Sequence, residues 1–493
     1  MALGWKLVYD GKTPPPGAAV APDERLSWGR TVGLGAQHVV AMFGATFVFP
    51  LVMGLSPNLA IMMSGIATIC FLLIVKNKVP SYLGTSAAFV GGATAIYNQK
   101  GGPEDVTGAI LVAGVVLALI GLVIHFLGAH VVNAVLPPIV TGAVVMLIGF
   151  NLAPVAAITY MPADPWIAII TMTAVILMAV GLRGFLGRIA IFLGLIFGYV
   201  LSWLADLAFG KITSPLPGAS DATTHLRVDW SGVKTADWFG FPPHTPDGLV
   251  GNQLQAGNLS AVGWHLPSFS ITFTLLVLPA VIALVAENVG HVKAVAEMTR
   301  TDLDPMMGRA VAADGVGTVI ASSVGGSPTT TYAENIGVMA ATRIYSTAAY
   351  YVAAIVAILL GFIPKFGQVV SATPGGVLGG ITLVLYGMIG LLGAKIWKEN
   401  GVDFARPVNL VPIGAGIVLA IGNATLKFTD NFSLSGIALG TLVVVLGYHL
   451  AAAVAPRLGT EDLDDGAIIS VGHAGVHQEE DIPPSHGEGS HKA

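Results

Sequence analysis

Across 493 residues the chain carries one cysteine, Cys70, so it forms no intrachain disulfide and offers no paired thiols for redox chemistry. Charge is nearly as scarce. Asp, Glu, Lys and Arg make up 10% of the residues, against about 25% in soluble domains. A chain this poor in charge is a polytopic membrane protein. HExxH, Cys pairs and a G-x-S-x-G elbow are all missing, which leaves no nucleophile or metal constellation for a membrane enzyme. No cofactor or metal ion is expected, and nothing points to nucleic acid. A cleavable signal is lacking too. Residues 1–30 are polar, with Lys6, Lys12, Arg25 and the run Pro14-Pro15-Pro16, so the first span is expected to act as its own insertion signal.

Apolar residues fill the space left by charge. They reach 54% of the chain, mean hydropathy is +0.77, and 62 glycines suit close helix packing in a bilayer. Apolar runs of spanning or near-spanning length occur at 31–54, 59–75, 106–127, 138–158, 165–182 and 189–209, with a short interrupted span at Thr85–Tyr97. After a polar interval from Lys211 to Ser268 come 269–293, 308–324, 347–364, 376–395, 407–426 and 433–455, with a short span at Thr331–Ala341. Seven and seven predict an all-α fold of fourteen transmembrane segments. The short third and tenth stand at matching places in the two halves. An odd number per half forces the second copy to be inverted. The runs opening at Leu136-Pro137-Pro138 and Thr373-Pro374-Gly375 resemble each other and agree with this repeat.

With the N-terminus inside, Lys100, Lys211, Arg227, Lys234, Lys365 and Lys427 fall outside, and the rest of the 23 Lys and Arg fall in the cytoplasm. This asymmetry predicts both termini in the cytoplasm and the 210–268 loop outside. The segment from 456 onward, with Glu479-Glu480-Asp481 and four histidines beyond Thr460, reads as a disordered tail; those histidines match no metal-site spacing.

The two short spans carry the chemistry. Gly325-Gly326-Ser327-Pro328-Thr329-Thr330-Thr331-Tyr332-Ala333-Glu334-Asn335-Ile336-Gly337 places glycines, proline, hydroxyls and an acid at membrane depth. Polar, irregular backbone there must be buried in protein or line a cavity. An extended stretch leading into a half-helix near Tyr332 would aim free N–H groups and a positive dipole end at that cavity, with Glu334 beside them. Pro80-Ser81-Tyr82-Leu83-Gly84-Thr85-Ser86-Ala87-Ala88-Phe89 has the same character. Few acids lie within spans: Glu287, Asp314 and Glu334. Glu287 and His291 are four apart on one helix face and within hydrogen-bonding reach, a pair suited to hold and release a proton; the bland alternative is a polar pair joining two helices. Asp314 is expected to cap or pair with a cation, and His38 to be a buried hydrogen-bond partner. Two acids and two rows of N–H groups suit a small planar ligand with N–H donors and C=O acceptors. A uracil ring has that pattern; a xanthine, or an anion facing protonated acids, fits equally.

The run Glu334-Asn335-Ile336-Gly337-Val338-Met339-Ala340-Ala341-Thr342-Arg343 matches the signature [Q/E/P]-N-x-G-x4-T-[R/K/G]. With Thr330-Thr331-Tyr332, Gln37-His38, Ala41–Thr46 and Leu385-Tyr386-Gly387, it resembles the nucleobase–ascorbate transporters, in their bacterial uracil permease branch. The resemblance covers about 30–455. It implies a core domain (31–127 and 269–366) and a gate domain (138–209 and 376–455), cytoplasmic tails at 1–30 and 456–493, and residence in the cytoplasmic membrane. It also allows a homodimer. By motif position Glu287 and Glu334 are the substrate-binding acids, and His291 is tied to proton coupling. Ala87, Ala333, Ala45, Tyr386 and Tyr332 complete the pocket, while His38, Asn335, Gly337, Thr342 and Arg343 belong to the structural signature. The branch tends to carry Phe where Ala87 stands and Gly where Ala333 stands, so this pocket is expected to be larger. Glu334 and His291 favour a pyrimidine. The function implied is proton-coupled uracil import by alternating access. The alternatives are a xanthine or urate permease on the same scaffold and an uncoupled channel or anion exchanger.

Overall fold

The structure is a computed structural model and describes residues 4–458 apart from 13, 16, 129, 218, 220, 247, 249–261 and 430–431. The tail beyond Thr460, with its acids and histidines, lies outside the described residues. Where lipid offers no hydrogen-bond partner, an apolar run must satisfy its own backbone, and helix is the local solution. In chain order the main elements are α1 (Trp28–Val52), α2 (Pro57–Ile74), strand β1 (Leu83–Thr85), α3 (Val90–Asn98), α4 (Pro103–Leu127), α5 (Pro138–Asn151), α6 (Pro165–Gly181) and α7 (Ala190–Phe209). The second half contributes α8 (Ile271–Val277), α9 (Pro279–Thr299), α10 (Asp304–Ser322), strand β2 (Thr329–Thr331), α11 (Ala333–Thr342) and α12 (Thr347–Gly361). It closes with α13 (Pro364–Ser371), α14 (Gly375–Glu399), α15 (Pro407–Ile421) and α16 (Gly436–Leu458).

Among the described residues eight helices are long and apolar enough to cross a membrane, or nine when α12 and α13, bent by 84°, are taken as one span. The chain is a multi-pass membrane protein. The fold is mostly helical, with four small two-stranded pairs among the described residues. Large apolar side chains such as Trp166, Val180 and Phe209 stand exposed on α6 and α7, where lipid rather than water suits them. By contrast α10, which carries Arg309 and Asp314, is mostly buried against α4. Small residues permit that approach: a Cβ on Gly121 of α4 would fall 2.2 Å from the Ala312 nitrogen.

The two interrupted stretches meet. β1 and β2 pair antiparallel, Leu83 opposite Thr331, Gly84 opposite Thr330 and Thr85 opposite Thr329. The ladder continues at both ends, as Ser86 N–H donates to Pro328 O (2.9 Å) and Tyr332 N–H to Tyr82 O (3.0 Å). A two-stranded ribbon leaves outer backbone groups open, and flanking hydroxyls close them. Leu83 N–H donates to Thr68 Oγ1 (2.9 Å) on α2, and Thr329 N–H to Thr318 Oγ1 (3.2 Å) on α10. Tyr332 reaches back across the ribbon, its hydroxyl donating to Thr85 O (2.8 Å) while accepting from Thr46 Oγ1 (3.2 Å). Its ring lies where a side chain at position 84 would stand, 2.4 Å from an ideal Cβ. Only glycine fits there.

From opposite ends of the ribbon, α3 and α11 run to opposite faces. One face carries the described residues of the 211–268 loop, among them a hairpin (Ile212–Pro215 with Ala222–His225) and a short helix at Ser231–Thr235. The loop returns through His265, whose N–H donates to Val324 O and whose ring sits between Thr107 and Thr245 hydroxyls (3.2 and 3.0 Å). Burial lowers that imidazole from 6.5 to about 4, so it bridges the threonines as a neutral ring. On the other face α11 ends at Arg343 in left-handed conformation (φ +56°). The segment before α1 packs there: Val20 N–H donates to Arg343 O (3.0 Å), Tyr345 N–H to Val20 O (2.8 Å), and Trp5 Nε1 to Thr347 Oγ1 (2.8 Å).

The Gly84–Tyr332 contact is directly testable. Gly84→Ala should lower the melting temperature of the purified protein, because the ring must leave its hydrogen bond to Thr85. Gly414→Ala, at a position with nothing within 4 Å, should not lower it, since alanine is favoured over glycine in a helix by about 1 kcal/mol. Equal melting temperatures for Gly84→Ala and wild type would refute the close packing.

Candidate functional site

At the centre of the bundle α11 starts without a side-chain cap, Tyr332 standing at its N-cap position in extended conformation. The first N–H groups of a helix have no intrahelical acceptor. Here they come with the partial positive charge of the helix end, next to exposed Ala333 and half-buried Glu334. On the other side of the ribbon, half-buried Ala87 opens the turn Ala87–Phe89 that leads into α3, and Ser86 Oγ accepts from Ala88 N–H (3.3 Å).

Helix α9 lies alongside. Glu287, Gly290 and His291 share one face of it: Gly290 is exposed, and nothing stands within 4 Å of where its Cβ would be. Glu287 and Glu334 are near enough to feel each other's charge. The hydrogen bond of His291 goes to Thr331 Oγ1 (2.7 Å) on β2 rather than to Glu287, so the imidazole is fixed to the ribbon and not to the acid one turn away. Among the described residues Asp314 pairs with no cation. Its Oδ2 accepts from Asn288 Nδ2 (2.6 Å), tying α9 to α10 beside Glu287. Sequence reasoning missed Asn288 and the Thr331 hydroxyl; an amide adjacent to an intramembrane acid was the available signal.

The signature residues hold α11 in place. Asn335 is fully buried, and its Nδ2 donates to His38 O (3.0 Å) with His38 Nδ1 at 3.3 Å. The His38 ring in turn lies 4.4 Å from that of Tyr350. Thr342 Oγ1 donates to Val338 O (3.0 Å) and accepts from Ile344 N–H (3.3 Å), closing the turn at Arg343. Gly337 lies half-buried within α11. Ala45 on α1 and Tyr386 on α14 are buried, the Tyr386 ring stacked on Phe49 at 6.5 Å. The Tyr386 hydroxyl is buried without a partner among the described residues. The arrangement offers donors from a helix end beside two acids. Among the described residues no group of His, Cys, Asp and Glu is placed to hold a metal ion.

A family profile described as "Permease family" matches residues 29–428, which include every residue of this site. The chain belongs to that family, the nucleobase–ascorbate transporters. Among relatives of this permease, "Putative pyrimidine permease RutG" of Escherichia coli (strain K12) is 43% identical over 87% of the chain and 90% of its own length. A "Uracil permease" of Bacillus caldolyticus is 34% identical over 86% of the chain and 92% of its own length. In fold the permease is similar to the transmembrane domain of a cyanobacterial bicarbonate transporter, BicA, with a TM-score of 0.53 at 14% identity, covering 86% of this chain and 96% of that one.

The Asn335 contact in this permease yields an expectation for stability. Asn335→Ala strips the donor from the buried His38 carbonyl, and an unmade buried hydrogen bond costs about 1–3 kcal/mol. The purified variant should melt several degrees below wild type. An unchanged melting temperature would mean that the amide does not hold α11 to α1.

Proposed function

We propose that this permease imports a nucleobase, uracil foremost, across the cytoplasmic membrane by proton-coupled alternating access. The observation that carries the reading is the uncapped start of α11 beside Glu334, opposite Ala87 and close to Glu287. Ring N–H groups find carboxylates there, and ring carbonyls find helix-end N–H groups. The relatives' names agree: each is a uracil or pyrimidine permease. On this reading the chain has fourteen segments in two inverted repeats, with β1–α3 and β2–α11 as the short third and tenth. The core domain comprises 31–127 and 269–366, the gate domain 138–209 and 376–455, and both termini are cytoplasmic.

Exposure around the site supports an inward-open state. Ala333, Ala340, Ala341 and Gly290 are open on the side toward Arg343, while Ala45 and Tyr386 are buried. The His291–Thr331 bond gives coupling a route. A proton taken up beside Glu287 alters the imidazole's surroundings, and through Thr331 it acts on the strand that positions Glu334. Room at Ala87 favours a second reading, a xanthine permease on the same scaffold, because the side chain there is small and half-buried.

Glu334→Gln should fold normally and lose uracil binding, because an amide presents an N–H to a ring N–H and leaves a buried group unpaired, at about 1–3 kcal/mol or more. Isothermal titration of the purified variant decides this, and wild-type affinity would remove Glu334 from the site. Ala87→Phe should cut any xanthine binding and spare uracil; equal loss of both would make the position structural.

Coupling has its own signature. Uptake of labelled uracil into proteoliposomes should rise as external pH falls from about 7.5 toward 5.5, across the range in which a site near neutrality loads its proton. His291→Leu should keep uracil binding but lose pH-dependent accumulation. A variant that still concentrates uracil with the wild-type pH profile would exclude His291 from coupling.

A further inference from the structure

The 211–245 part of the loop spans two groups of helices. At one foot Arg227 binds Asp164 at the start of α6 (Nε–Oδ2 2.7 Å) and Asp206 near the end of α7 (Nη1–Oδ1 3.1 Å). The backbone N–H groups of Arg227 and Val228 donate to the same Asp206 carboxylate, each at 3.0 Å. Ser214 Oγ adds a bond to Ala163 O (2.6 Å). The Arg227 side chain is 13% exposed and each acid 8%, so this cluster is shielded from the screening that weakens surface pairs. At the other foot Lys365 N–H donates to Asp237 O (3.1 Å) and Gly240 N–H to Phe362 O (3.0 Å), with Phe239 stacked on Phe362. That foot rests on the end of α12 and the start of α13.

Between the feet the segment roofs a cavity of about 430 Å³. Its walls come from both groups: Leu51 and Tyr97 on one side, Tyr160 and Leu378 on the other. His225 and Asp229 hang from the roof. His225 Nδ1 donates to Leu226 O (3.1 Å), which leaves Nε2 as the acceptor, and that atom is buried with no partner among the described residues. Neither Glu287 nor Glu334 lines this space. It is a separate chamber on the face away from the open side of the site.

We infer that this chamber is an outer antechamber, which takes a planar heterocycle with ring N–H donors, of the class bound at the acids, before the ligand moves inward. The inference rests on the transport reading above and adds a second site to it. Turned toward the chamber, the orphan Nε2 of His225 accepts one ring N–H, and the Asp229 carboxylate, whose Oδ1 already takes the Ser231 N–H, offers its other oxygen on the same roof. Leu51 and Leu378 supply apolar walls for the ring faces. The volume exceeds that of one base, so the chamber holds a base together with water and binds it more loosely than the central site. The Arg227 cluster keeps the roof on the α6–α7 side while the other foot follows α12.

The single native cysteine makes the test clean. On a Cys70→Ala background, Ser371→Cys places a thiol in the chamber wall and Thr223→Cys places one on the exposed hairpin outside it. Labelling by a membrane-impermeant methanethiosulfonate, added from outside to protein in proteoliposomes, is timed with and without uracil. Uracil should slow labelling of Ser371→Cys several-fold and leave Thr223→Cys unchanged, and it should still do so when Glu334→Gln has removed the central site. His225→Ala should raise the half-protecting uracil concentration about tenfold, the factor set by one lost hydrogen bond, without changing central affinity. Protection that vanishes with Glu334→Gln would come from movement driven by the central site and would overturn the antechamber. So would central binding of uracil with no protection at all. Failure of wild-type protein to bind uracil in titration would instead strike the transport reading, and the two failures are thereby distinguished.

Discussion

A backbone N–H inside a bilayer has no water to fall back on, and the whole arrangement follows from how two stretches of extended chain meet that condition. Neither Leu83–Thr85 nor Thr329–Thr331 can exist alone at that depth, since each would leave a row of unmade hydrogen bonds. Paired, they satisfy each other on one edge, while Thr68 of α2 and Thr318 of α10 serve the outer groups of Leu83 and Thr329, and the Tyr332 hydroxyl serves Thr85 O. Within the stretches, the Thr85 and Ser327 hydroxyls pair across the ribbon (2.8 Å). What the pairing frees is the pair of helix starts at its two ends, which is where the proposed ligand-facing chemistry lies.

Economy of this kind explains how much was legible beforehand. Glycine, proline and threonine gathered between apolar runs cannot be ordinary lipid-facing helix, so Pro80–Phe89 and Gly325–Gly337 declared themselves as protein-lined. Glu334 at a helix start followed from the same reasoning. Partners distant in sequence were not legible. The period of α9 puts Glu287 and His291 on one face but is silent about Thr331, forty residues on, which takes the imidazole. Asp314 reads as a helix cap or the partner of a cation, and the fold gives it the amide of Asn288, because a neutral donor next to a buried acid avoids introducing a second charge.

The 211–268 interval shows the same limit from the other side. Its composition marks a polar connection and nothing more. The anchoring of Arg227 depends on Asp164 and Asp206, residues that individually read as a helix cap and a helix end. Only the fold gathers them, and no periodicity or motif in the loop hints at it. Tight approaches behave in the same way. Gly84 is one glycine among 62, and its necessity is invisible until Tyr332 is seen lying over it.

The bridge between Val20 and the Arg343–Tyr345 turn has a consequence for how the chain is made. Val20 leaves the ribosome more than three hundred residues ahead of the partners it pairs with. Throughout that interval the leading segment has no edge to pair with, while helix after helix enters the bilayer behind it. It settles only once α11 has been laid down and its last turn has closed in left-handed geometry. A segment made before α1 thus waits for α11 before it can dock, and its docking reports that the second interrupted stretch has reached its place.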